Sequence, residues 1–146
     1  MNRQEIYPFM ARCRYGVVSS MSKDGLPQSA LVGIATTEEL EVIFDTVDSS
    51  RKYRNLIACP SCSLVVGWDG EQTVQYEGIA TELKEQELKR YQEIYFAFWP
   101  DGPVRASWPG IAYFVVRPRW IRYSDYDQGP PLIEEFVFAA DKRASV

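Results

Sequence analysis

The sequence predicts a mainly β fold: a closed antiparallel barrel of six to seven strands with a few flanking helices. Three observations predict it. Short β-prone runs follow one another at close spacing, Asp-Gly pairs separate some of them, and only a few segments carry a helical period.

Taken in order, residues from about Gln4 to Arg14 read as a short helix with Ile6, Phe9, Met10 and Cys13 along one face. Pro8 fits best in its first turn, where a missing N–H costs nothing. Tyr15 to Ser22 and Pro27 to Thr36 are β-prone runs joined by Lys23-Asp24-Gly25, a strong hairpin signal. Leu40 to Thr46 alternates, with Leu40, Val42 and Phe44 on one face, and reads as a third strand. Ser49 or Ser50 can then cap a helix running to about Ala58, and Pro60 stops it.

Ser63 to Trp68 is a nearly continuous apolar run, the pattern of a buried strand. Asp69-Gly70 turns the chain into a long strand, Gln72 to Leu83, in which Gly78 predicts a bulge or bend. Glu85 to Phe98 is the clearest helix, with Leu88, Tyr91, Tyr95 and Phe98 on one face. Trp99-Pro-Asp-Gly-Pro ends it. Ile111 to Arg117 and Arg119 to Asp125 read as two strands around Pro118. The tail runs through Gln128-Gly-Pro-Pro and turns apolar at Phe136-Val-Phe138, to dock on a second subunit or to pack on its own chain.

No repeat or internal boundary divides the 146 residues, so residues 1–146 read as a single domain of ordinary size. The charge is −4, from 16 basic and 20 acidic residues, and no basic run exceeds two residues, which argues against a nucleic-acid surface. The chain has no histidine, which excludes a Ser-His-Asp triad, a histidine-bearing metal site and imidazole acid/base catalysis. No apolar run approaches the roughly 18 residues of a membrane span, and the first residues lack a signal-peptide pattern, so the expected compartment is the cytoplasm. Cys13, Cys59 and Cys62 give an odd count, against a disulfide framework. Cys59-Pro-Ser-Cys62 has a redox spacing but runs into a strand rather than opening a helix, so the expectation is structural cysteines with no metal.

The segment that points to chemistry is Phe44-Asp-Thr-Val-Asp-Ser-Ser-Arg-Lys-Tyr-Arg-Asn55. A strand end here delivers hydroxyls and an Arg-Lys pair to the start of a helix, whose free N–H groups and positive dipole end favour an anion. Arg51 can grip phosphate oxygens with its planar fork and Lys52 adds a compact charge. From local sequence alone, a solvated helix face carrying Arg51, Lys52 and Arg54 is an equal alternative.

The order of the surrounding words decides between them. Asp24-Gly25-x-Pro27, Phe44-x-Thr46, Ser50-Arg51-Lys52, Asn55-Leu56 and Pro60-x-x-Ser63-Leu64 follow one another, and the pattern returns in Phe114-Val-Val-Arg-Pro-Arg-Trp-Ile-Arg-Tyr-Ser-Asp125. This order resembles the FMN-binding split-barrel family that includes pyridoxamine 5'-phosphate oxidase. The resemblance implies two subunits packed barrel to barrel, with FMN in clefts at the interface and a small-molecule substrate. It implies that Arg51 and Lys52 hold the phosphate, that Thr46, Ser50 and the adjoining Asp45 support it, and that the strand from Ala30 to Ala35 passes the ring. Gln72 or Thr73 would approach the flavin from the long strand.

The resemblance breaks at two places. An arginine that many oxidases carry on the second strand falls at about Ala30 here, and the substrate-holding Arg-x-His of the vitamin B6 oxidase has no counterpart in a chain without histidine. The implied activity is therefore that of an FMN-dependent oxidoreductase with another substrate. A deazaflavin cofactor, or flavin binding and sensing without turnover, are the alternatives. No catalytic acid or base is assigned. Among the aromatic residues, Trp99 and Trp120 read first as packing, Trp108 is the candidate to reach a ligand, and Tyr123 and Tyr126 are substrate-side candidates.

Overall fold

A computed structural model describes residues 2–139. The helix α1, Arg3–Ala11, is opened by a capping box in which Asn2 accepts from the Glu5 N–H and Glu5 accepts from the Asn2 N–H. Pro8 lies inside it rather than in its first turn. The cap and the burial of Ile6, Phe9 and Met10 hold the helix despite the missing donor, and it ends before Arg14.

The strands are β1 (Tyr15–Met21), β2 (Pro27–Thr36), β3 (Val42–Val47), β4 (Ser61–Val66), β5 (Gln72–Glu82), β6 (Ile111–Asp125) and β7 (Leu132–Val137). They lie in the order β3-β2-β1-β4-β5-β6-β7, and a pairing of β3 with β6 closes the first six into an antiparallel barrel. β7 adds to the far half of β6 through pairs such as Trp120 with Val137 and Asp125 with Leu132. The apolar tail thus packs on its own barrel, and Phe136 and Phe138 lean on the core.

Three corrections concern strand limits. β4 runs Ser61–Val66 rather than Ser63 to Trp68, because the chain leaves the sheet at Gly67, whose φ is positive. β3 begins at Val42, because Leu40 sits in a turn at φ 65° where Leu40 N–H donates to the Thr37 carbonyl. Its side chain still enters the barrel core beside Val42 and Phe44. β6 is one strand rather than two. Gly78 of β5 faces Pro118, the register shifts between Glu77 and Gly78, and Arg119 is the extra residue between Pro118 and Trp120. The bulge carries the proline through the sheet. A side chain at Gly78 would meet the Arg117 carbonyl at 2.5 Å, so the crossing needs glycine.

Alternation divides the apolar residues between two cores. Val18, Ile34, Phe44, Leu64, Tyr76, Phe114 and Ile121 fill the barrel, closed by Ile6, Phe9 and Met10 from α1. Tyr76 is buried and donates to the carbonyls of Leu40, at 2.7 Å, and Val116, so its hydroxyl is satisfied in the interior. On the outer face, Ala35, Ile43, Tyr113 and Val115 form a second core under α3, Glu85–Phe98, which supplies Tyr91 and Tyr95. A short helix not foreseen from the sequence, α4 (Gly102–Arg105), follows. No helix among the described residues is long and apolar enough to cross a membrane.

Candidate functional site

The remaining helix, α2 (Arg51–Ala58), begins where β3 ends, and Ser50 caps it by accepting from the Tyr53 N–H at 3.1 Å. Strand alternation puts Thr46 on the same side of β3 as Phe44, facing α2. Its hydroxyl lies 2.9 Å from that of Ser50, and Lys52 Nζ donates to Thr46 Oγ1 at 3.4 Å. Thr46, Ser50 and Lys52 thus form one connected group at the α2 N-terminus.

Arg51 and Lys52 line a cavity of about 120 Å³ together with Val18, Ser20, Gln28, Ser29 and Ala30. Ala30 therefore lines the same cavity as the two cations. No carboxylate lies within salt-bridge distance of either cation among the described residues. Lys52 is half-buried, and burial pushes its pKa below the ordinary lysine value, with Asp45 pulling weakly the other way. A desolvated ammonium facing hydroxyls, an arginine and a helix N-terminus lacks an anion, and a phosphate group supplies one with the right charge and acceptor count.

The other candidates divide by position. Asp45 points to the opposite face of β3, where Arg105 Nε meets its carboxylate at 3.0 Å while Arg105 Nη1 binds Asp101 at 2.7 Å. It belongs to the α4 contact rather than to the hydroxyl group. Trp108, half-exposed, lies in the loop that returns beside the β3–α2 turn, where Asp48 N–H donates to the Gly110 carbonyl at 2.8 Å. Gln72 and Thr73 start β5 and pair with Asp125 and Ser124, at the end of β6 far from its contact with Thr46 through Ala112. A single chain does not bring them to Lys52. Gln72 instead accepts from the Tyr123 hydroxyl at 3.1 Å.

Tyr123 is buried and stands edge-on to Phe9, so it is a packing residue, while Tyr126 is half-exposed in the turn after β6. Trp99 is also packing: its indole donates to the Ile34 carbonyl at 2.8 Å, its ring covers Gly33, and Arg14 stacks on it. Cys62 lies on β4 with its thiol pushed up to about 12 by burial, the opposite of an activated redox cysteine. Another cavity, about 410 Å³, lies along β1, β4 and β5 with Glu77 and Arg119 as its charged residues and contains none of the phosphate candidates.

Sequence reasoning missed the floor of the site. Asn55 is buried and donates from one amide nitrogen to Ser20 Oγ at 3.0 Å and to Gln28 Oε1 at 2.9 Å, tying α2 to β1 and β2. The signal was present: Ser20 and Gln28 are paired across β1 and β2, with the inward phase of Val18 and Ala30.

The chain belongs to the pyridoxamine 5'-phosphate oxidase family, whose model matches residues 3–125. No curated protein matches it. Among solved structures it is similar to a heme binding protein from Mycobacterium smegmatis, with TM-score 0.79 and 15% identity over 92% of this chain and 57% of that one. It thus spans little more than half the length of that protein. It is also similar to a pyridoxamine 5'-phosphate oxidase-related, FMN binding protein from Nostoc punctiforme, with TM-score 0.64 and 11% identity over 94% of this chain and 93% of that one. A third is HutZ, the heme storage protein of Vibrio cholerae, with TM-score 0.69 and 13% identity over 91% and 92%. At these identities the likeness is one of fold.

Proposed function

We propose that this protein binds FMN by its phosphate at the α2 N-terminus and acts as a flavin-dependent oxidoreductase on a small organic molecule. The observation that carries the reading is the half-buried Lys52, which faces Thr46 and Arg51 with no carboxylate partner among the described residues. Arg51 and Lys52 would neutralise the phosphate, Ser50 and Thr46 would add hydroxyl hydrogen bonds, and Ala30 lines the same cavity. The family and the FMN-binding relative support the same cofactor.

Two of the similar structures are heme proteins. Protein ligands to heme iron are commonly His, Cys, Met or Tyr, and this chain contains no histidine, so a histidine-ligated heme is not open to it. The missing histidine favours the flavin.

The active form in this reading is a homodimer. The outward row Leu31, Val17 and Val65 lies in register across β2, β1 and β4, with Leu31 61% and Val65 41% exposed. An apolar row on the outside of a closed barrel suits burial against a second copy. A partner's β5 would then supply Gln72 and Thr73, which one chain keeps apart from its own phosphate group.

When bound, the flavin supplies the hydride or electron transfer, and the protein supplies binding, orientation and exclusion of water. The chain's own tasks would be to fix the phosphate with Arg51 and Lys52 and, through Trp108 of the neighbouring loop, to cover the bound ring. The test is the visible spectrum of purified protein, with the mass of any released chromophore, followed by reduction with a nicotinamide donor. A yellow protein releasing FMN that is reduced and reoxidised supports the reading. A deazaflavin mass would replace the cofactor, bound FMN without turnover would leave a flavin-binding or sensing protein, and a colourless protein that takes up no FMN would overturn it. A monomer by sizing with light scattering would remove the homodimer.

A further inference from the structure

Beside the small cavity lies a larger one, about 390 Å³, lined by Ser22, Lys23, Asp24, Gln28, Arg51, Arg54, Asn55 and Ala58. The two share Arg51 and Gln28 as a common wall. We propose that this second cavity is an anion subsite continuous with the flavin-phosphate site, where Lys23, Arg54 and the shared Arg51 hold an anionic group of a second ligand next to the phosphate that Arg51 and Lys52 hold.

Charge is the first ground. The protein is acidic overall, at −4, yet three cations line this cavity against the single carboxylate of Asp24. None of Lys23, Arg51 and Arg54 makes a salt bridge among the described residues. Three exposed cations around one cavity make a locally positive surface on an acidic chain, which attracts an anion.

Preorganisation is the second ground. Lys23 stands in a hairpin turn closed by three hydrogen bonds: Ser22 N–H to the Leu26 carbonyl, Gly25 N–H to the Ser22 carbonyl, and Leu26 N–H to Ser22 Oγ. Arg54 is fixed from below by donating to the Ser49 carbonyl at 3.2 Å. Gln28 accepts from Asn55 with its amide oxygen, which leaves its own N–H groups as donors for a ligand on the wall that both cavities share. The groups on this wall are cationic or able to donate.

This inference extends the phosphate site of the proposed function and rests on it only for the first anion. The test uses calorimetry with inorganic phosphate and inorganic pyrophosphate at about 0.15 M salt, where nonspecific attraction is screened beyond ~8 Å. Pyrophosphate is expected to bind at least about tenfold more tightly than phosphate, the worth of one charge-assisted hydrogen bond. Lys23→Ala and Arg54→Ala should each reduce that preference while leaving FMN affinity within about twofold. Equal affinity for the two anions in the wild type, or a preference untouched in both variants, overturns the second subsite. Pyrophosphate binding without any FMN binding would instead uphold the paired anion site and defeat the flavin reading.

Discussion

Two groups of cations in this barrel are treated in opposite ways. Arg117 on β6 is 5% exposed, and its guanidinium meets Glu41 and Glu87, each at 3.3 Å. Tyr91 of α3 adds a hydrogen bond to Glu41 at 2.8 Å. Arg51 and Lys52, at the start of α2, face hydroxyls and a cavity instead. The first group holds α3 to the barrel with charges satisfied inside the chain. The second keeps a desolvated charge unsatisfied, which costs stability and makes sense only if an anion from outside completes it. Partnering, rather than charge alone, separates a structural cation from a binding one.

The largest effect should come from breaking the paired group. Arg117→Ala leaves the part-buried Glu41 beside α3 without its cation and is expected to cost about 3 kcal/mol in urea unfolding. Flavin affinity of the folded fraction should not change. A stability loss near zero would mean that the network does not anchor α3.

The unpaired group should respond the other way round. Arg51→Ala and Lys52→Ala are each expected to weaken FMN binding by about 1.5–3 kcal/mol. Stability of the flavin-free protein should not fall in either variant and should rise for Lys52→Ala, since no intramolecular ion pair is lost and a desolvated charge is removed. Saturating FMN should raise the wild-type melting temperature, with a gain of about 2.7 kcal/mol at a hundredfold excess over Kd. A double variant that melts and binds like the wild type would erase the contrast.

A pH series sharpens it further. Burial holds the Lys52 pKa below the ordinary lysine value in the free protein, and a bound phosphate would raise it, so binding takes up a proton at alkaline pH. FMN affinity should therefore be level below the free-state pKa of Lys52. It should fall as the pH rises through that value, earlier than the ~10.4 of an unperturbed lysine predicts. Lys52→Arg should flatten the fall, because its guanidinium stays charged. The smallest effect belongs to the exposed pair Arg122–Glu135 at 3.2 Å: Arg122→Ala should change stability by no more than about 1 kcal/mol, and a larger loss would mean that surface pairing on β7 carries the barrel edge.

The barrel was legible in the sequence because hairpin turns, alternation and a single long amphipathic helix each leave a local mark. The capped α2 and its Arg-Lys pair were legible for the same reason. What escaped depends on contacts distant in the chain. Nothing near Pro118 announces that Gly78, forty residues earlier, will absorb it. Asp45 is a cofactor-binding candidate in the sequence, whereas strand alternation sends it to Arg105, sixty residues on. Gln72 and Thr73 were named through the family pattern, and only the register of β5 on β6 places them at the other end of one chain.

The most direct test of the central claim compares FMN with riboflavin, which has the same ring and no phosphate, in titrations of the wild type and of an Arg51→Ala/Lys52→Ala double variant. The account predicts that the wild type prefers FMN by about tenfold or more and that the double variant loses most of that preference while its riboflavin affinity stays unchanged. Equal binding of FMN and riboflavin by the wild type, or a preference that survives in the double variant, would contradict it and return the two cations to a solvated helix face.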